Sequence, residues 1–287
     1  MDSAKVICNG IVVVMSDFGL RERFVASMKG VALSVDKTLN LQDLTHNIEP
    51  YNINEASQTL AGTLGYWPMG SVFISVVDPG VGTERKSVVA LTKSGHLIVT
   101  PDNGTLTQTV QQHGILAVRE IDETISRLPG SSDIHTFHGR DIYSYTGAKL
   151  AAGVISFAEV GKVMEEAPVC LKLAQPVKFN AHAIRGQITR IEQRYGNVVT
   201  NIPKSMLDDV GVEVAKKKGP RVQISREGLH VYSSAIPYVK SFAFVEEGAP
   251  LLYIDSVGFL GLALNGDSFS GKHKVESGSE WLIEIRK

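Results

Sequence analysis

Cysteine is almost missing from this chain: its 287 residues include two, Cys8 and Cys170, far apart and without neighbouring ligand residues. That argues against a disulfide framework or a thiolate metal site and fits a reducing, cytoplasmic setting. Long apolar runs are missing too. None approaches the roughly 20 residues that span a bilayer, so no membrane partner is expected. The run over residues 6–15 is interrupted by Asn9-Gly10 and followed by no small-residue cleavage pattern, which makes it a first strand and not a signal peptide. Neither charge is in excess: 29 Lys and Arg against 30 Asp and Glu give a formal net charge of -1, which gives no electrostatic reason to expect nucleic acid. The one basic run, Lys216-Lys217-Lys218 before Gly219-Pro220, reads as a solvated turn. No G-x-G-x-x-G, P-loop or G-x-S-x-G occurs, which weakens dinucleotide, triphosphate-hydrolysis and serine-esterase readings.

What is present is an ordinary globular composition, 43% apolar and 21% charged, in a chain long enough for two cores. Residues 11–15, 38–44 and 72–77 are strand-like, and residues 24–35 and 53–64 carry apolar side chains at helical spacing. This alternation predicts a mainly parallel sheet covered by helices. Residues 87–91 and 97–100 read as a hairpin, which makes the sheet mixed; a short helix ended by Gly114, a strand at 115–121 and a helix at 143–152 follow. Residues 165–179 hold two prolines and no clear period, and beyond them short strands predict a small β-barrel or sandwich. The expected domains are 1–170, α/β, and 171–287, a small β-barrel.

The chemistry gathers at turns. Asp78 ends an apolar strand, at the side of an open α/β sheet where ligands sit. Pro79, Gly80 and Gly82 force a turn that returns Arg85 toward the carboxylate. Asp17, Asp43 and Asp78 end successive strands, so their carboxylates could bind a metal, grip a sugar diol, or cap the following turns. The pair His135-x-x-His138 lacks the helix and the accompanying acid of a zinc site. His138 has a stronger reading as a general base whose tautomer Asp78 holds. Arg194-Tyr195-Gly196-Asn197 reads equally as a hairpin turn with Asn197 as its left-handed residue.

Taken together, Ser16-Asp-Phe-Gly19, Asp78-Pro-Gly-Val-Gly82, Pro101-Asp-Asn-Gly104, Thr136-Phe-His-Gly-Arg140, the stretch 195–202 and the stretch 256–265 resemble the S-adenosylmethionine hydroxide adenosyltransferase family, related to the bacterial fluorinase and chlorinase enzymes. The resemblance implies an α/β domain followed by a β-barrel, and a homotrimer with ligand sites between subunits. It implies hydrolysis of S-adenosylmethionine to adenosine and methionine, by activated water attacking the ribose 5′-carbon, with no cofactor and no metal. Asp17 matches the family's ribose-binding acid. Asp78, Arg85 and His138 match the catalytic set of the hydroxide-using branch, where the halogenases carry tyrosine at the positions of Asp78 and His138. Tyr51, Tyr195, Asn197, Ser256, Val257 and Asn265 fall where the family surrounds the substrate. A halide adenosyltransferase and a non-catalytic adenosine or S-adenosylmethionine binder are the alternatives.

Overall fold

Six strands build the N-terminal sheet, five running one way and one against them. In the computed structural model, residues 6–214 and 219–287 are described, and the lysine run at 216–218 lies outside them. The chain divides into two units, Met1–Leu171 and Lys172–Lys287.

The first unit runs β1 (Ile11–Ser16), α1 (Phe24–Val35), β2 (Asn40–Thr45), α2 (Ile53–Leu64), β3 (Val72–Val76), β4 (Ser87–Thr92), β5 (Leu97–Pro101), α3 (Thr107–Gln112), β6 (Ile115–Glu120), α4 (Glu123–Ser126), a π turn (Gly139–Ser144) and α5 (Tyr145–Ala151). The sheet order is β2-β1-β3-β5-β4-β6. β1 pairs in parallel with β2 and β3, and β3 with β5, while β4 runs antiparallel to β5 and β6. Side chains alternate across a strand, and the two cores follow. Val12, Val14, Ile74 and Val76 meet Met28, Ile142 and Tyr143, whereas Val13, Met15 and Phe73 meet Leu60 and Leu64. α5 lies so close to β3 that a Cβ on Gly147 would stand 2.7 Å from the Ile74 side chain.

Two features depart from the sequence reading. The helix expected to begin at residue 143 is preceded by a π turn from Gly139, with a backbone pattern that apolar spacing does not encode. The expected loop before it contains α4, four residues capped by the Asp122 side chain accepting from Thr124 N, too short for a period to show.

The second unit is antiparallel. It comprises β7 (Val177–Asn180), β8 (Ala183–Glu192), β9 (Asn197–Pro203), α6 (Lys204–Asp209), β10 (Arg221–Arg226), β11 (Leu229–Ala235), β12 (Pro250–Ile254), β13 (Phe259–Leu264), α7 (Phe269–His273) and β14 (Trp281–Arg286). The order is β11-β10-β14-β8-β9-β13-β12, with β7 on β8. β8 pairs through its first half with β14 and through its second half with β9. The sheet therefore curls into a half-barrel around Ile188, Val198, Ile224, Leu262, Phe269 and Trp281. β7 lies partly inside the segment read as irregular; all four of its residues are exposed, so no buried face announced it.

Candidate active site

The carboxyl ends of β1 and β3 carry the acids of interest. After β3 the chain turns at Asp78 through Pro79, Gly80 and Gly82. Gly82 has φ +78°, and a Cβ there would stand 2.8 Å from the His135 carbonyl oxygen, so glycine is required twice over. The turn is tied to the sheet from the side: Asn103 Nδ2 donates to the Val77 carbonyl at 2.9 Å, which gives the Pro101–Gly104 motif a positioning role.

Arg85 returns as its spacing predicts. Nε donates to Asp78 Oδ1 at 2.7 Å and Nη2 to Asp78 Oδ2 at 2.5 Å, a forked pair with both side chains largely buried. Nη2 also lies 2.9 Å from His138 Nδ1. Arg85 therefore stands between the acid and the imidazole, where the sequence reading had Asp78 hold His138 directly. A guanidinium has donors and no acceptor, so Nδ1 must carry the lone pair and, in the neutral ring, Nε2 carries the hydrogen. His138 is buried and its Nε2 meets no protein partner. Burial, and then the neighbouring Arg85 cation, hold the imidazole below its ordinary pKa. A neutral ring in this tautomer offers a hydrogen-bond donor to an oxygen; it does not offer Nε2 as the base that the sequence suggested.

The π turn shapes this cluster. His138 opens it and Tyr143 lies five residues on. At about 100° per residue an α-helix would set those side chains about 140° apart, but i→i+5 winding brings them toward one side. Tyr143 is fully buried and its hydroxyl reaches Asp78 Oδ2 at 3.3 Å, a contact no sequence motif signalled. Phe137, just before His138, packs edge-on against Phe18 and Phe24, joining this turn to the loop after Asp17.

Asp17 Oδ2 accepts from Tyr51 N at 2.9 Å, which brings these two expected ligand residues together. Asp43 goes elsewhere: it pairs with Lys29 at 2.6 Å and with His46 Nε2 at 3.0 Å, while His46 Nδ1 meets Ser16 Oγ at 2.7 Å. His46 also accepts Gly19 N at its carbonyl, so this chain secures the loop that carries Asp17. The three strand-end acids are thus engaged separately. Among the described residues, no three His, Cys, Asp or Glu side chains gather as a metal-binding group.

In the second unit, Tyr195 and Asn197 lie at the β8–β9 turn. The left-handed residue is Gly196, φ +68°, and not Asn197, because Ser268 packs where a Cβ on residue 196 would lie and Asn197 starts β9. Asn197 Nδ2 donates to Glu192 at 2.9 Å, and Asn265 Nδ2 donates to the Val245 carbonyl at 2.9 Å. Val198 pairs with Leu262, which places Asn197 and Asn265 toward the same end of β13. Ser256 and Val257 occupy the turn at its other end, where Asp255 Oδ1 accepts from Val257 N and Phe259 N.

Comparison with known proteins agrees across both units. Residues 12–161 match the family model described as SAM hydroxide adenosyltransferase N-terminal domain, and residues 186–282 its C-terminal domain. A protein of Methanocaldococcus jannaschii named (R)-S-adenosyl-L-methionine hydrolase is 33% identical over 91% of this chain and 90% of its own. A Nocardia brasiliensis protein named fluorinase is 28% identical over 96% of this chain and 97% of its own. The crystal structure of an uncharacterized conserved protein from Thermotoga maritima superimposes with a TM-score of 0.84 at 31% identity, covering 96% of this chain and all of that one.

Proposed function

The chain belongs to the SAM hydroxide adenosyltransferase family, and from that premise we propose that it hydrolyses S-adenosyl-L-methionine to adenosine and L-methionine. The sulfonium makes methionine a neutral leaving group, so the reaction needs no acid; it needs a nucleophile aligned opposite the departing sulfur. Water attacks the ribose 5′-carbon, the new C–O bond forms as the C–S bond breaks, sulfur keeps the electron pair, and one proton is released. Holding that water in line contributes several kcal/mol when geometry is right.

The observation that carries this reading is Arg85 donating to His138 Nδ1, which fixes a buried Nε2–H without a protein partner. His138 then orients the water oxygen, Arg85 fixes His138, and Asp78 fixes Arg85. Asp17 grips the ribose hydroxyls through the carboxylate oxygen that Tyr51 N leaves open. By the family resemblance, Tyr195, Asn197, Ser256, Val257 and Asn265 surround the adenine and methionine ends, in a site shared between neighbouring subunits. A relative's name supports the R-configured sulfonium as the preferred epimer. Homotrimeric assembly, a cytoplasmic setting and freedom from metals belong to the same reading.

The deciding experiment incubates purified protein with each sulfonium epimer and identifies products by mass. Adenosine and methionine in equal amounts, unchanged by EDTA, uphold it. The fluorinase-named relative keeps a halide adenosyltransferase in view; haloadenosine formed at high chloride would favour that alternative, and stoichiometric binding without turnover would leave a binding protein.

A further inference from the structure

Four side chains of the N-terminal unit close a hydrogen-bond circuit, and the proposed chemistry uses two of them. Arg85 Nη1 donates to Ser87 Oγ at 3.0 Å, Ser87 Oγ donates to the Tyr143 hydroxyl at 3.3 Å, and Tyr143 donates to Asp78 Oδ2 at 3.3 Å. Asp78 completes the ring by accepting the Arg85 fork. The directions follow from chemistry. A guanidinium only donates, so Ser87 must accept there and has its single hydrogen left for Tyr143, whose own hydrogen goes to the carboxylate.

We infer that Tyr143 and Ser87 are positioning residues for hydrolysis, because their hydroxyls fix the orientation of the Arg85 guanidinium and so direct Nη2 onto His138 Nδ1. This rests on the hydrolase reading above. A carboxylate fork alone leaves guanidinium and carboxylate free to pivot together; anchoring Nη1 on Ser87 and Oδ2 on Tyr143 holds both ends. Packing does not account for the hydroxyls. Tyr143 is fully buried, Ser87 nearly so, and phenylalanine and alanine would fill those places without polar atoms to satisfy. The Arg85 guanidinium also lies 5.7 Å from the Tyr143 ring centroid, over its face. Burial and the nearby Asp78 charge raise the Tyr143 pKa, so the phenol keeps its proton as a donor.

The test uses Tyr143→Phe, Ser87→Ala and Ser87→Thr in the full-length protein, with kcat, KM and the ¹⁵N resonances of His138 followed against pH. The charged groups acting on His138 are Arg85, Glu123, Arg127 and Asp78, and none is altered by these variants. Tyr143→Phe and Ser87→Ala should lower kcat roughly five- to tenfold, the worth of one hydrogen bond, with KM within about twofold. His138 should lose its single tautomer, and its pKa should rise toward the ordinary imidazole value as Arg85 loosens. Ser87→Thr, which keeps the hydroxyl, should restore both. Lower melting temperatures with an unmoved His138 spectrum would overturn the inference, as would unchanged kcat in both hydroxyl-deletion variants. Should Tyr143→Phe not fold, the contrast between Ser87→Ala and Ser87→Thr decides. A wild-type protein that makes no adenosine would defeat the hydrolase reading instead, while His138 resonances that move in the variants would still uphold the coupling.

Discussion

Tyr51 donates its backbone N–H to Asp17 Oδ2 at 2.9 Å while held in a left-handed conformation, φ +67°. That conformation costs a non-glycine residue roughly 1–2 kcal/mol, and here it delivers an exposed aromatic ring next to the proposed ribose acid. Tyr51→Gly should therefore raise unfolding stability by about 1 kcal/mol, less the added freedom of the unfolded chain, and weaken adenosine binding. Denaturant titration and calorimetry check the pair of effects; a destabilised variant with unchanged affinity would contradict it.

Asp17→Ala should weaken adenosine binding roughly ten- to a hundredfold, the range for losing a charge-assisted bond to a buried ligand. Affinity that survives the substitution would remove Asp17 from the site.

His138 distinguishes donor from base. His138→Ala should lower turnover by about 10² to 10³, the range for removing one preorganised hydrogen-bond donor. His138→Gln keeps an amide N–H at a comparable reach and should recover part of that loss. Equal inactivity of the two variants in single-turnover assays would restore the general-base role.

The pKa of His138 is lowered by burial and then by Arg85, so the unfolded chain takes up a proton first as pH falls. Stability from this group is fully present above about pH 6.5 and is lost as pH drops from there through the folded pKa. His96, lowered chiefly by burial, adds to the same slope. Turnover should hold at about pH 6.5 and fall only as pH drops through the lowered folded pKa, because a proton on Nδ1 would face the guanidinium. Melting temperature against pH should be flatter in His138→Gln; an identical slope would assign the dependence to other groups.

Gly82→Ala should cost about 1–3 kcal/mol of stability by crowding the His135 carbonyl and should depress turnover by displacing the turn that returns Arg85. Full turnover in this variant would show that the turn has room to spare.

Much of this was legible because it is local. Continuous β-branched runs mark β1 and β3, period-3.6 patterns mark α1 and α2, and Pro79, Gly80 and Gly82 announce the turn that returns Arg85 to Asp78. What stayed hidden depends on partners distant in sequence. Tyr143 reads as an ordinary apolar helix residue until its hydroxyl is seen at Asp78, 65 positions earlier. Asp43 reads like Asp17 and Asp78, and only the fold shows it turned to Lys29 and His46. The interposition of Arg85 between Asp78 and His138 is likewise a matter of side-chain direction, which residue spacing does not carry.

The π turn at Gly139–Ser144 makes residue count, more than residue type, the constraint on that stretch. Removing one residue would let the segment relax into a regular α-helix of better intrinsic geometry, with α5 still seated on β3 through Gly147. In that shortened helix His138 and Tyr143 would stand four residues apart, about 40° around the axis, so their common side would survive. At full length the same stretch wound as an α-helix would part the two side chains by about 140°, so count and winding must change together: a single-codon deletion would keep the imidazole on the side of Tyr143, whereas straightening the turn without one would carry it away from Arg85.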